Sequence, residues 1–560
     1  MRHHFWNSLK RAIRPSKIPA GRSRKATTSR RITCELLEHR CMLATLNLVG
    51  GALTFTLDSG DQLAALSASA NQLTFDAGAS FTIASNAAAQ ALGYGTGGQT
   101  SGPGSLVGVT SVAIVYAGGN ERLTLGPLVT TTIPGLTVDG GAGADTLALT
   151  DGTNTWNVTS ANGGNIAALG SFSAIENLTG GTGADNFVFS DAASLAGTID
   201  GGLGANSVSF AAYTTPLTVN LQSFLNVASI TGGAAADTLV GANGPNAWSV
   251  TGLNAGAVND INFTSFENLT GGNAADAFLI GTAGSLTGTI AGGLGTDMLT
   301  QTDGVNAWTI TGANAGTVTD LGGGFSSIEN LTGGTGTDSF TFNDGASLSG
   351  TIDGGLGTDS VSFAAYTTPL AVHLQSFPNV ESITGGAAAD TLVGADIPNT
   401  WIVTALNAGT VNGINFSSWE NLTGGSNTDD FTIGTAGSLT GAIAGAAGAN
   451  SLTQTDGVNT WTISGANAGT VTDLGAGFAD IQNLTGGSGA DSFTIGTAGT
   501  LSGSIIGGAG NDSLAQSDGV NAWTITAANA GAVTDLAGGF SSIENLVGGS
   551  GTDNFTFSDG

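Results

Sequence analysis

Apolar and polar residues alternate along this chain in short runs, and glycine-rich turns separate the runs. Typical stretches are Phe187-Val188-Phe189, Trp308-Thr309-Ile310, Phe340-Thr341-Phe342 and Ser360-Val361-Ser362-Phe363. A two-residue period bounded by Gly, Asn and Asp predicts β-strands. No helical period is sustained, and no run of about 18 apolar residues predicts a transmembrane segment.

The runs recur. Asn-Leu-Thr-Gly-Gly begins at Asn177, Asn268, Asn330, Asn421 and Asn483, and Asn545 starts the variant NLVGG. The steps are 91, 62, 91, 62 and 62 residues, so a 153-residue unit repeats; VSFAAYTTPL stands at 208–217 and again at 361–370. A shorter beat lies inside it. Gly-Gly-x-x-x-Asp/Asn turns end 21 residues apart or at steps of 31 and 39–41, which suggests a coil of about 21 residues with the longest steps as two coils. Short strands and tight turns at that period predict an all-β parallel β-solenoid, in which stacked coils create the core that no single coil can bury. The Gly-Gly turns should then lie on one or two edges.

The beat divides the chain into a basic segment 1–44, an irregular β region 45–137 forming the N-terminal cap and first coils, and a repeat solenoid 138–560. The 153-residue units cover 177–329 and 330–482, with a truncated unit at 483–560. Earlier copies run on into ASLSGTIDGG, as at 346–355, where this chain stops at Gly560. The expectation is an open last coil and a fragment of a longer protein.

Charge sharpens the division. Eleven of the 12 Lys and Arg lie before residue 41, so residues 1–44 carry +9 and residues 45–560 carry −38. Such a body repels nucleic acid and attracts cations. Cys34 and Cys41 are the only cysteines, and His373 is the only histidine after His39. No Cys/His cluster for zinc or iron can be assembled, which leaves oxygen ligands.

Within the basic segment, Leu37-Glu38-His39-Arg40-Cys41-Met42-Leu43-Ala44 resembles the LEPR-XLL segment of planctomycete exported and surface proteins, with His39 in place of the proline. The resemblance implies an extracellular or cell-surface location.

The turns resemble the nonapeptide of RTX-type (hemolysin-type) calcium-binding β-rolls, Gly-Gly-x-Gly-x-Asp-x-(large apolar)-x. GGAGADTLA at 140–148 matches throughout, and the six-residue core recurs at turns ending at Asp185, Asp297, Asp338, Asp359, Asp491, Asp512 and Asp553. The family holds Ca²⁺ with the Asp carboxylate and turn carbonyls of stacked neighbours, oxygen ligands that suit a hard cation. Here the turns stand singly instead of every nine residues. The resemblance therefore points first to turns one coil apart: Asp338 with Asp359, Asp491 with Asp512, then Asp276 with Asp297. Asp145, Asp185 and Asp553 complete the metal candidates. The alternative is that Asp and Gly simply build coil corners.

Other recurrences read as architecture. Trp156, Trp248, Trp308, Trp401, Trp461 and Trp523 fall in N-x-W strands and should stack in the core. The recurring asparagines should ladder at a bend. The acids occupy equivalent repeated positions, Arg122 is the single basic residue after residue 44, and no catalytic motif is visible, so no enzyme is expected. The chain reads as an exported acidic cell-surface rod, structural or adhesive and calcium-stabilised. The alternatives are a calcium-independent stalk of a larger adhesin and, distantly, a β-helix polysaccharide-degrading enzyme.

Overall fold

The computed structural model describes residues 42–558, apart from 58–62, 70, 78–80, 99, 127–132, 134, 168 and 518. Nearly all of the LEPR-XLL-like residues and both cysteines lie outside the described residues. Among the described residues no helix is long and apolar enough to cross a membrane.

The chain is a parallel β-solenoid with two faces. After Leu136–Asp139 it visits them alternately, so one coil carries one strand on each face. The 21-residue beat is one such coil: Asn186–Phe189 pairs in register with Ser207–Ser209, and Ser339–Phe342 with Ser360–Ser362. Along each strand alternate residues point inward, and the inward set (Phe187, Phe189, Val208, Phe340, Phe342, Val361) is buried.

The longer steps correct the sequence expectation: they are one and a half coils, not two. The strand after Asp237 lies on the opposite face from the strand after Asn206, 31 residues earlier. Steps of 39–41 cross faces in the same way and add a three-stranded antiparallel meander, such as Ala247–Gly252, Ala255–Val258 and Ile261–Thr264. The meander turns on an asparagine in the left-handed region (Asn254 at φ 52°, Asn314 at 52°, Asn407 at 53°), a conformation that Asn tolerates better than other side chains do. Its first strand brings in the tryptophan. Each of the six recurring tryptophans is at most 2% exposed, stacks on a phenylalanine of the next coil and meets another edge-on. Trp308, for example, lies 5.5 Å from Phe340 and 6.1 Å from Phe325.

Residues before Leu136 depart from the regular coil. Leu63–Ser69, Gln72–Asp76 and Thr100–Ser105 pair antiparallel, while Ala52–Leu57, against Ser111–Tyr116, and Leu63–Ser69, against Arg122–Leu125, begin the parallel ladders of the two faces. Two further irregularities come from the VSFAAYTTPL stretches. Strand Thr218–Asn220 pairs forward with Thr238–Val240 but not back with Ile199–Gly202, and Ala371–His373 repeats the break. A cavity opens at each break, ≈ 240 Å³ beside Phe210, Tyr213 and Phe224, and ≈ 250 Å³ beside Phe363, Tyr366 and Phe377.

Candidate functional site

The Gly-Gly turns gather on the solenoid's two edges, where their aspartates point inward. Asp145, Asp185, Asp276, Asp297, Asp338, Asp359, Asp491 and Asp512 are at most 2% exposed. They are linked into columns by backbone N–H groups. The N–H and side-chain amide of Asn306 both donate to Asp338 Oδ1 at 2.8 Å. The Asp338 N–H donates to Asp359 Oδ1 at 2.7 Å, and the Asp359 N–H to Glu381 Oε2 at 2.6 Å. The columns Asn246–Asp276–Asp297–Glu329 and Asn459–Asp491–Asp512–Glu544 repeat this order. Each side chain thus satisfies a corner N–H that the parallel ladder leaves without a partner.

The three proposed stacked pairs therefore do sit on adjacent coils. The other three candidates do not stack on one another. Asp145 lies between Glu121 and Glu176, Asp185 between Asn154 and Asn206, and Asp553 accepts from Asn521. The Asn two positions before each Trp and the Glu or Gln before each NLTGG string are column members that sequence reasoning missed. Their signal was positional: Glu176, Glu267, Glu329, Glu420, Gln482 and Glu544 immediately precede the recurring asparagine. Those asparagines tie coils together as well. Asn268 Oδ1 accepts from the Thr289 N–H while its amide donates to the Asp237 carbonyl.

The second carboxylate oxygen separates two kinds of corner. Oδ2 of Asp145, Asp185, Asp276, Asp297, Asp338, Asp359, Asp491 and Asp512 is buried without a hydrogen-bond partner. Asp237, Asp390 and Asp429 instead accept there from the second glycine of their own turn, Gly233, Gly386 and Gly425. Backbone conformation goes with this difference at every one of these corners except Asp276. In every orphaned corner with a complete Gly-Gly-x-Gly-x-Asp core the second glycine is left-handed, as at Gly334 (φ 110°) and Gly355 (φ 95°), and makes no bond to Oδ2. Gly233, Gly386 and Gly425 do not take that conformation.

Burial raises the carboxyls of Asp185, Asp276, Asp297, Asp338, Asp359 and Asp491 above the ordinary aspartate range. At Asp359 the charges of Asp338, Glu381 and Asp353 add to it; at Asp297 those of Asp276 and Glu329 do.

These oxygens are the right kind for calcium, and too few. A Cβ placed on Gly333 would lie 2.4 Å from Asp338 Oδ2 and 2.5 Å from the Gly354 carbonyl oxygen. Oδ1 is already occupied by two N–H donors from Asn306. Calcium takes about six to eight oxygens. Among the described residues no three His, Cys, Asp or Glu side chains converge to hold a metal ion. As packed, the corners do not complete a calcium shell.

No family model matches this chain, and no curated protein does.

Proposed function

We propose that the chain is a structural stalk of the cell surface or extracellular matrix, its coils held together by their own corner columns. The observation that carries this reading is the use of the recurring side chains within the repeats. Aspartates, asparagines, glutamates and tryptophans are spent on coil-to-coil contacts at successive levels. The exported location rests on the LEPR-XLL-like segment. A strongly acidic body suits an extracellular setting, where it stays soluble and repels other polyanions. The test is twofold. Residues 1–44 fused to a reporter should direct its export, and protease added to intact cells should reach the full-length chain. Retention of the reporter together with protection of the chain would sink the location.

The calcium-stabilised form of the rod is the second reading, favoured by the eight orphaned oxygens. It requires the corners to rearrange around the ion. Its test is whether millimolar calcium raises the melting temperature beyond NaCl of matched ionic strength, and whether changing Asp338, Asp359, Asp491 and Asp512 together to Asn removes that excess. A metal-free stalk responds equally to both salts.

A further inference from the structure

Among the described residues five columns carry an acid or amide at their third level: Asn206, Asp297, Asp359, Asn450 and Asp512. All five occupy the same slot. Oδ1 accepts the N–H of the corner residue one coil back, at 2.7–2.9 Å in every case. The other atom faces the carbonyl of a left-handed residue in the following turn: Asn226, Ser327, Asn379, Asp480 or Ser542. A Cβ placed on the turn's first glycine meets that carbonyl and the side-chain atom together. The distances are 2.4 and 2.5 Å at Gly201, 1.9 and 2.5 Å at Gly292, and 2.0 and 2.7 Å at Gly354.

The two asparagines reveal what the slot requires. Asn206 Nδ2 donates to the Asn226 carbonyl at 2.9 Å, and Asn450 Nδ2 to the Asp480 carbonyl at 3.0 Å. Their orientation is unambiguous, because Oδ1 must accept the N–H from the coil below. The slot is therefore built for a donor. At Asp297 and Asp359 an oxygen stands in that place, fully buried, facing a carbonyl oxygen and making no hydrogen bond. Two acceptors meeting in the interior leave a buried group without a compensating hydrogen bond.

We propose that Asp297 and Asp359 are neutral carboxylic acids in the folded protein, each donating Oδ2–H to the carbonyl of Ser327 or Asn379 as Asn206 and Asn450 donate theirs. The proton is taken from solvent as the coil closes and returned when it opens. The surrounding charges act in the same direction. Asp338, Glu381 and Asp353 face Asp359, Asp276 and Glu329 face Asp297, and no basic side chain is among them. The columns thus make coil stacking sensitive to pH, and the inference does not rest on where the protein resides.

The test uses the full chain with chelator present. At neutral pH its infrared spectrum should contain the carbonyl stretch of a protonated carboxyl, a band that weakens in the Asp297→Asn/Asp359→Asn double variant, which leaves Asp512 in its equivalent slot. That variant should melt no lower than the parent at neutral pH, and its melting temperature should vary less with pH. Conversely, Asn206→Asp should strengthen the band and steepen the pH dependence. Absence of the band from the parent overturns the proposal. So does a double variant that melts lower with the pH dependence intact.

Discussion

Asp237 and Asp338 end turns that differ by little in sequence, GGAAAD against GGTGTD, yet their carboxylates do different work. Asp237 closes its own turn: Oδ2 takes the Gly233 N–H and Oδ1 takes the Leu217 N–H. Asp338 spends Oδ1 on the coil below and leaves Oδ2 buried and unpaired. The lesson is that the glycines, more than the aspartate, decide what the corner can do. A left-handed second glycine turns the backbone donor away. The fourth glycine then lets the turn press onto the neighbouring coil, so that a Cβ on Gly336 would come within 1.5 Å of the Gly304 carbonyl oxygen. Asp276 shows that losing the fourth glycine is not sufficient. Its turn reads GGNAAD and its Oδ2 is still orphaned, although Gly272 pairs in the ladder with Gly293 just as Gly425, which does reach its own aspartate, pairs with Ala446.

The largest expected difference between the two corners comes from that fourth position. Gly336→Ala drives a methyl group into backbone and should cost about 1–3 kcal/mol or more, read as a lower denaturant midpoint. The mirror change Ala235→Gly should cost no more than about 1 kcal/mol. Equal losses would mean that the two turns are packed alike.

A contrast in hydrogen-bond polarity follows. Asp237→Asn or Asp390→Asn points an amide N–H₂ at a glycine N–H and should cost about 1–3 kcal/mol for the broken bond. Asp338→Asn, whose new amide would face the Gly354 carbonyl, should cost less than either. Thermal melts of the three single variants at one pH would show it, and the reverse ranking would break the comparison.

The smallest effect is in the pH profile. Burial raises the orphaned carboxyls of Asp185, Asp276, Asp338 and Asp491, so between the ordinary aspartate value of about 3.9 and their raised values the folded chain binds protons that the unfolded chain does not. Stability from these groups should therefore rise as pH falls through the raised values, and stop rising at the ordinary one. Melting temperatures across mildly acidic pH would check the sign; a steady fall on acidification would contradict it.

Much of this architecture was legible without coordinates. The β class, the stacked coils, the 21-residue period and the buried tryptophans all follow from local alternation and exact spacing, because each coil repeats the same short-range instructions. The three acid pairs were legible too, since a 21-residue step returns the chain to the same edge one coil higher. Which face a repeat occupies was not. VSFAAYTTPL at 208–217 lies on one face and its copy at 361–370 on the other, because an odd number of half-coils separates them. Hydropathy is the same on both faces and cannot distinguish them. Nor could the motif tell which carboxylate oxygen would be left unpaired. That depends on the handedness of one glycine and on the carbonyl that the next coil brings against it, and only the stacking of coils decides both.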